Sequence, residues 1–208
     1  ISIDEFTPMN LSRRMCTSVS ARKFDPLGKA APLDLRLKND LRKIIHFDSD
    51  WDKPIPPDLR SRWCENFQIL EDIRDISYVR CEIPSDALRQ TVRLWLQCDG
   101  AEDGMIVAAH IGYEKSDGSW SCSDLIAKNL LSPPGWTTPK IELHALNAMA
   151  NITAFLQNAL GEWIEDYRYA SDSTIAISWS LYEKVKLKVF HRMRVANIRN
   201  KIQLDNLY

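Results

Sequence analysis

Three carboxylates in this 208-residue chain stand at junctions where chemistry could gather. Asp99 ends an alternating apolar-polar run, Glu142 lies near the start of an apolar helical pattern, and Asp172 follows a second alternating run and opens "DSTIAISW". If the strand before Asp172 lies beside and parallel to the strand before Asp99, both acids reach the same sheet edge. A helix packed on that sheet can bring Glu142 over it. Three carboxylates meeting there repel one another unless cations neutralise them, and hard divalent ions prefer such oxygens. Two such ions about 4 Å apart form the usual clamp for in-line attack on a phosphodiester. Taken singly, each acid has an ordinary role: Asp99 in a turn before Gly100, Glu142 complementing a helix dipole, Asp172 capping a helix. Only their joint placement points to chemistry.

The elements that must position them are visible as periodicities. Val92, Leu94, Leu96 and Cys98 alternate with Arg93, Trp95, Gln97 and Asp99, the pattern of a half-buried strand. "MIVAAHIGY" predicts a second strand, "SDGS" at 116–119 a turn, and "WSCSDLIA" a third strand, together an antiparallel meander. "LSPPGWTTPK" reads as a loop ending in a helix start, with Thr138 as cap, Pro139 in the first helical position and Glu142 in the first turn. Ile141, Ala145, Ala148, Ile152, Phe155 and Ala159 mark the expected buried face, and Gly161 stops the helix. "WIEDYRYA" then supplies a fourth strand, and a further helix opens at Asp172. Three strands, helix, strand, helix is an α/β layout.

Residues 1–85 differ in texture, being rich in proline, tryptophan and charge without strand alternation. Leu33, Leu37, Leu41 and Ile45 recur every fourth residue as one face of an amphipathic helix, and Pro57 enters another helix running towards Leu70. This region is expected to be a mainly helical connecting module packed against residues 86–208, because its leucine and tryptophan content is too high for a linker. The bulk numbers fit an ordinary globular protein: 45% hydrophobic, 26% charged, formal net charge -1. Nucleic acid would therefore have to be met by a local patch rather than by the chain as a whole. The five scattered cysteines form no C-x-x-C pair, which argues against a zinc site and a disulfide framework and for a reducing compartment. No apolar run approaches the roughly 18 residues that span a bilayer, so no membrane partner is expected. A chain opening at Ile1 reads as a piece of something longer.

Five segments carry a resemblance: "ARKFDPLGKAAPLDLRLKNDLRK", "DWDKPIPPDLRSRW", "CDGAED", "KIELHAL" and "SDSTIAISW". In this order and spacing they resemble the polyprotein of Bel/Pao-type LTR retrotransposons, from about Ser12 to Ile202. In that family a segment with F-D-P-L-G and W-D-x-P-x-P motifs connects a reverse transcriptase to a ribonuclease H domain. The family's C-D-A-S, L-E-L and D-S-T motifs supply catalytic carboxylates, and these fall on Asp99, Glu142 and Asp172. The resemblance implies a ribonuclease H-like mixed sheet in the order three-two-one-four-five with flanking helices. It further implies Mg²⁺, with Mn²⁺ as the alternative, at a two-metal site, and cleavage of the RNA strand of an RNA–DNA hybrid. The implied partners are that hybrid and the reverse transcriptase portion of the same polyprotein, in the cytoplasm within a virus-like particle, or in the nucleus.

Departures from the pattern are Gly100 for the usual alanine and Met105-Ile106 for Tyr-Gly. The family's fourth carboxylate lies in an N-P-A-D motif after a fifth strand, whereas this chain ends at "QLDNLY". Asp205 is not assigned that role and is expected in an exposed turn. The final strand and helix of the domain are expected to be missing. The fourth strand should then be an edge that a partner strand pairs with, the N-terminal region covers, or Glu165, Asp166 and Arg168 blunt. The alternative reading is a domesticated or truncated interaction module that keeps the fold and binds protein or nucleic acid without cutting.

Lys184 to Lys201 contains seven Lys or Arg and no acid. With Val185, Val189, Met193 and Ala196 as its buried stripe it reads as a basic amphipathic helix, and Lys184, Lys186, Lys188, Arg192 and Arg194 are the candidate phosphate contacts. His110, His144 and His191 are expected to be packed or solvated rather than catalytic.

Overall fold

A computed structural model of the protein describes residues 10–73, 75–78, 81–182 and 185–208. The chain divides into two compact units, one of Ile1–Pro26 with Ala30–Tyr78, the other of Leu27–Lys29 with Val79–Tyr208.

Among the described residues, the first unit holds three helices: α1 (Arg13–Arg22), α2 (Ala31–Phe47) and α3 (Pro57–Asp72). Ser12 caps α1 by accepting from the Met15 N–H, and Pro57 takes the first position of α3, where its missing N–H costs nothing. Leu33, Leu37 and Ile44 of α2 pack with Leu11, Cys16, Ile55 and the fully buried Trp63. The strict four-residue repeat expected for α2 holds for Leu33 and Leu37, and the half-buried Leu41 still packs against the same cluster, but the next inward residue is Ile44 rather than Ile45. A helix turns every 3.6 residues, so by the third step the inward position has drifted from Ile45 to Ile44. Asp40 is also buried on α2, where it accepts from Asn66 Nδ2 at 2.5 Å and pairs with Arg62 Nη2 at 2.8 Å.

The second unit is a mixed α/β layer. Strands β1 (Arg93–Gly100), β2 (Met105–Glu114), β3 (Trp120–Leu130) and β4 (Asp166–Ser171) form one sheet in the order β3-β2-β1-β4. The first three are antiparallel and β4 runs parallel to β1. The turn at 116–119 forms as expected: Gly118 adopts φ +82° and Asp117 Oδ1 accepts from the Ser119 N–H and Oγ–H. Helix α4 (Thr138–Leu160) crosses from β3 to β4, as parallel pairing requires, and α5 (Thr174–Leu181) and α6 (Val189–Lys201) follow. The core joins Leu94, Leu96 and Cys98 of β1, Val107 and Ile111 of β2, and Tyr167 and Tyr169 of β4 to Ile141, Ala145, Met149 and Leu156 of α4.

Three expectations are corrected. Phe155 and Ala159 of α4 face solvent, Phe155 at 60% exposure, because the buried face runs through Ala145, Met149, Thr153 and Leu156, about a quarter turn round the helix from the line that Ile141, Phe155 and Ala159 share. The stripe expected on the basic helix is likewise the outer one. Val185, Val189, Met193 and Ala196 are exposed, while Val195, Ile198 and Ile202 enter the core, and the helix begins only at Val189. Both stripes are apolar, so periodicity alone does not choose between them; contact with α4 does. Finally, the outer edge of β4 is not bare. The Tyr208 N–H donates to the Tyr169 carbonyl and the Ser171 N–H to the Tyr208 carbonyl, both at 2.9 Å, so the chain's last two residues lie parallel to β4. Asp205 sits exposed in the short 3-10 turn just before, as expected.

The other edge of the sheet is also attended. The Ala127 N–H of β3 donates to the Leu27 carbonyl at 2.8 Å, Lys29 Nζ pairs with Glu82 Oε1 at 3.1 Å and also meets the Asp124 carbonyl, and Ser123 Oγ donates to Glu82 Oε2 at 2.7 Å. Gly28 makes this strap possible. Its φ is +68°, and a Cβ there would lie 1.8 Å from the Ala127 carbonyl oxygen. Gly28→Ala should therefore release the strap. Left-handed backbone alone costs an L-residue about 1–2 kcal/mol, so the urea midpoint should fall and the Ala127 amide should lose its protection from hydrogen exchange. An Ala127 amide protected as before would show that the strap tolerates a side chain.

Candidate carboxylate edge

The register of β1 against β4 builds the site. Cys98 pairs with Ser171 across the parallel ladder, so Asp99 and Asp172, one residue further on, leave the sheet at the same end. Gly100 then lets α4 approach. A Cβ at Gly100 would lie 3.2 Å from both Cα and N of Glu142 and 3.0 Å from Ile141 Cγ2, a tight fit for anything larger than glycine. The departure from alanine noted in the sequence thus sits where helix and strand end press together. Glu142 is brought over the end of the sheet that carries the two aspartates.

Local helix starts differ from expectation in a way that bears on each acid. The Thr137 carbonyl accepts from the Lys140 and Ile141 N–H groups, so Thr137 rather than Thr138 is the cap, Pro139 is the second helical residue and Glu142 lies in the second turn. Asp172 does not cap α5. Ser173 does, its Oγ accepting from the Ala176 N–H at 3.1 Å. The same hydroxyl donates to Glu142 Oε2 at 2.5 Å. Ser173 is 4% exposed, so one buried hydroxyl starts α5 and ties it to α4. Sequence reasoning passed over it; its signal was a serine directly after the acid.

The carboxylates of Asp99 and Asp172 are exposed and have no hydrogen-bond or ion-pair partner among the described residues. Both act on the buried Cys98 thiol beneath them. Burial, reinforced by these two charges and partly offset by a hydrogen bond with Ser171, pushes that thiol up to about 12. Among the described residues, no three His, Cys, Asp or Glu side chains are gathered closely enough to hold a metal ion. As arranged, Glu142 is turned to Ser173.

The histidines are engaged elsewhere. Gln97 Nε2 contacts His110 Nε2 at 3.1 Å, which places the His110 proton on Nδ1, 2.7 Å from Asp124 Oδ1. Arg194 Nε donates to His144 Nδ1 at 3.1 Å, and burial, then the Arg194 charge, holds His144 below the ordinary histidine range. His191 is lowered too, by burial and then by Lys140, Lys188 and Arg194.

Of the candidate phosphate contacts, Lys184 lies outside the described residues. Lys186 and Lys188 are exposed ahead of α6 and Arg192 is exposed on it. Arg194 is half-buried, its guanidinium 3.4 Å from the centre of the Phe190 ring and its Nη1 donating to the Phe190 carbonyl. All five cysteines are free thiols, and no helix among the described residues is long and apolar enough to cross a membrane.

A family model described as the Pao retrotransposon-like RNaseH-like domain matches residues 12–173. No curated protein matches the chain. Among solved structures it is similar to RNase H1 of the halophilic archaeon Halobacterium salinarum NRC-1, at 13% identity over 56% of this chain and 78% of that one, with a TM-score of 0.29. It is also similar to the native protease-reverse transcriptase of prototype foamy virus, at 13% identity over 92% of this chain, with a TM-score of 0.31. This chain covers 24% of that protein's length.

The Ser173 tie can be measured by a double-mutant cycle. Ser173→Ala should cost about 1 kcal/mol for the lost cap, and the Ser173→Ala/Glu142→Ala pair should show a coupling of about 1 kcal/mol in urea unfolding. Strict additivity would mean that the hydroxyl and the carboxylate do not interact in solution.

Proposed function

The chain belongs to the Pao retrotransposon-like family of RNase H-like domains, and from that premise we propose that it cuts the RNA strand of an RNA–DNA hybrid in a divalent-metal-dependent reaction. The observation that supports the reading most directly is the pair Asp99 and Asp172. They are exposed, unpaired carboxylates at the same end of two adjacent parallel strands, with Glu142 packed against that end. Acidic groups so placed without partners suit a hard cation better than they suit an isolated fold. Mg²⁺, or Mn²⁺ in its place, would be held by Asp99, Glu142 and Asp172. Such an ion would supply positive charge for activating water and stabilising the leaving 3′ oxygen.

The chain's own residues would do the rest. Ser173 restrains Glu142 at the edge. Lys186, Lys188 and Arg192, exposed and free of carboxylate partners among the described residues, would neutralise backbone phosphates. Recognition would rest on groove shape and 2′-hydroxyls rather than on base sequence. In the parent polyprotein the helical unit would join this domain to the reverse transcriptase.

One observation favours a second reading. The three acids are not gathered into a ligand group among the described residues, which suits a module that binds hybrid without cutting it. Cleavage of a labelled hybrid with Mg²⁺ separates the two. Under the first reading the wild-type chain cuts, and Asp99→Asn lowers the rate by at least about 100-fold, since metal-assisted charge stabilisation is worth several kcal/mol. Asp99→Asn should leave the fold as stable or more so, because it removes like-charge repulsion near Asp172. A wild-type chain that binds hybrid and never cuts it would leave the second reading standing.

A further inference from the structure

A second charged site lies on the flank of α4, built from cations rather than acids. Lys140 is the third residue of α4, where the helix dipole already presents its positive end, so an ammonium there is locally unfavourable. Its Nζ sits 4.3 Å from the ring centre of Trp136 and 4.5 Å from that of Phe190. Arg194 shares both rings, with its guanidinium 3.4 Å from Phe190 and 5.8 Å from Trp136. The two rings stand edge-to-face, 5.0 Å apart. Lys188 adds its charge at His191, on which all three cations act; among the described residues, every charged neighbour that acts on this histidine is positive. No carboxylate pairs with Lys140, Lys188 or Arg194 among the described residues. The aromatic faces hold the cations in place without cancelling their charge.

We propose that Lys140 and Arg194, seated on Trp136 and Phe190, form a binding site for a backbone phosphate of the nucleic acid strand. An oxyanion there would relieve both the mutual repulsion of the cations and the conflict of Lys140 with the helix dipole. A strand is the occupant, rather than a free phosphate, because the charge continues through the exposed Lys186, Lys188 and Arg192. The half-buried rings leave apolar surface for a sugar or base. The site rests on the reading that this domain meets nucleic acid, and not on the carboxylates being catalytic.

The test is binding of a fluorescent RNA–DNA hybrid to the whole chain in EDTA, on an Asp99→Asn background, across a salt series. Lys140→Gln should weaken binding about tenfold at 0.1 M salt and reduce the slope of log affinity against log salt by about one, the signature of one lost phosphate contact. Lys140→Arg should bind like the parent, and Lys43→Gln, on an exposed lysine of the helical unit, should be silent. Lys140→Gln with unchanged affinity and slope would overturn the site. So would displacement of the hybrid by low-millimolar inorganic phosphate at constant ionic strength in the parent but not in Lys140→Gln, since the occupant would then be a free anion. If the parent binds and responds as expected but the wild-type chain never cuts hybrid with Mg²⁺, the site stands and only the nuclease reading falls.

Discussion

The parallel pairing of β1 with β4 is the constraint on which the rest depends. It is the one strand pair in the sheet that no hairpin can make, so the chain must travel through α4 and return before it can form. Once Cys98 stands opposite Ser171, Asp99 and Asp172 share an end of the sheet, Gly100 meets Glu142, and Ser173 falls within reach of the same carboxylate. A slip of one residue would turn Tyr167 and Tyr169 away from α4 and their polar neighbours into it. The buried faces of β1 and β4 therefore fix the position of the acidic edge, and core packing and site geometry are here one requirement.

Charge is distributed about the start of α4 in two opposed fields. Asp99 and Asp172 lie at the sheet end with nothing among the described residues to balance them, while Lys140 and Arg194 lie towards α6 on aromatic faces, with no carboxylate partner among the described residues. Lys140 and Glu142 are separated by a single residue, and positions two apart on a helix point to different sides. The helix thus presents a cation to one side and an acid to the other. A polyanion lying across that boundary would find a neutralising surface beside a carboxylate edge able to take divalent cations, as phosphodiester chemistry needs.

Each outer strand of the sheet carries a short local cover. The Gly28 strap satisfies a β3 amide at Ala127, and Tyr208 satisfies the Tyr169 carbonyl and Ser171 amide of β4. Both are short, so each covers an edge without extending the sheet into a flat template. The F-D-P-L-G motif has a physical use in this arrangement: proline and glycine shape a bend that only glycine can press against a neighbouring carbonyl.

Much of the fold was legible in the residues themselves. Strand alternation in Val92–Cys98, the turn at Asp117-Gly118 and the proline-led starts of α3 and α4 are local properties, set by backbone sterics and by which side chains repeat on one face. The placement of the three acids near the ends of their elements was legible too, because local signals mark those elements, and the motif order pointed to the family. What local signals could not decide was which of two apolar stripes faces inward on α6, or that Phe155 stays in solvent. Those depend on where another element lands. The same holds for Ser173 reaching Glu142, and for Lys140 and Arg194 sharing the rings of Trp136 and Phe190. Periodicity is written along the chain, whereas register and neighbourhood are settled only when distant segments bury their surfaces against each other.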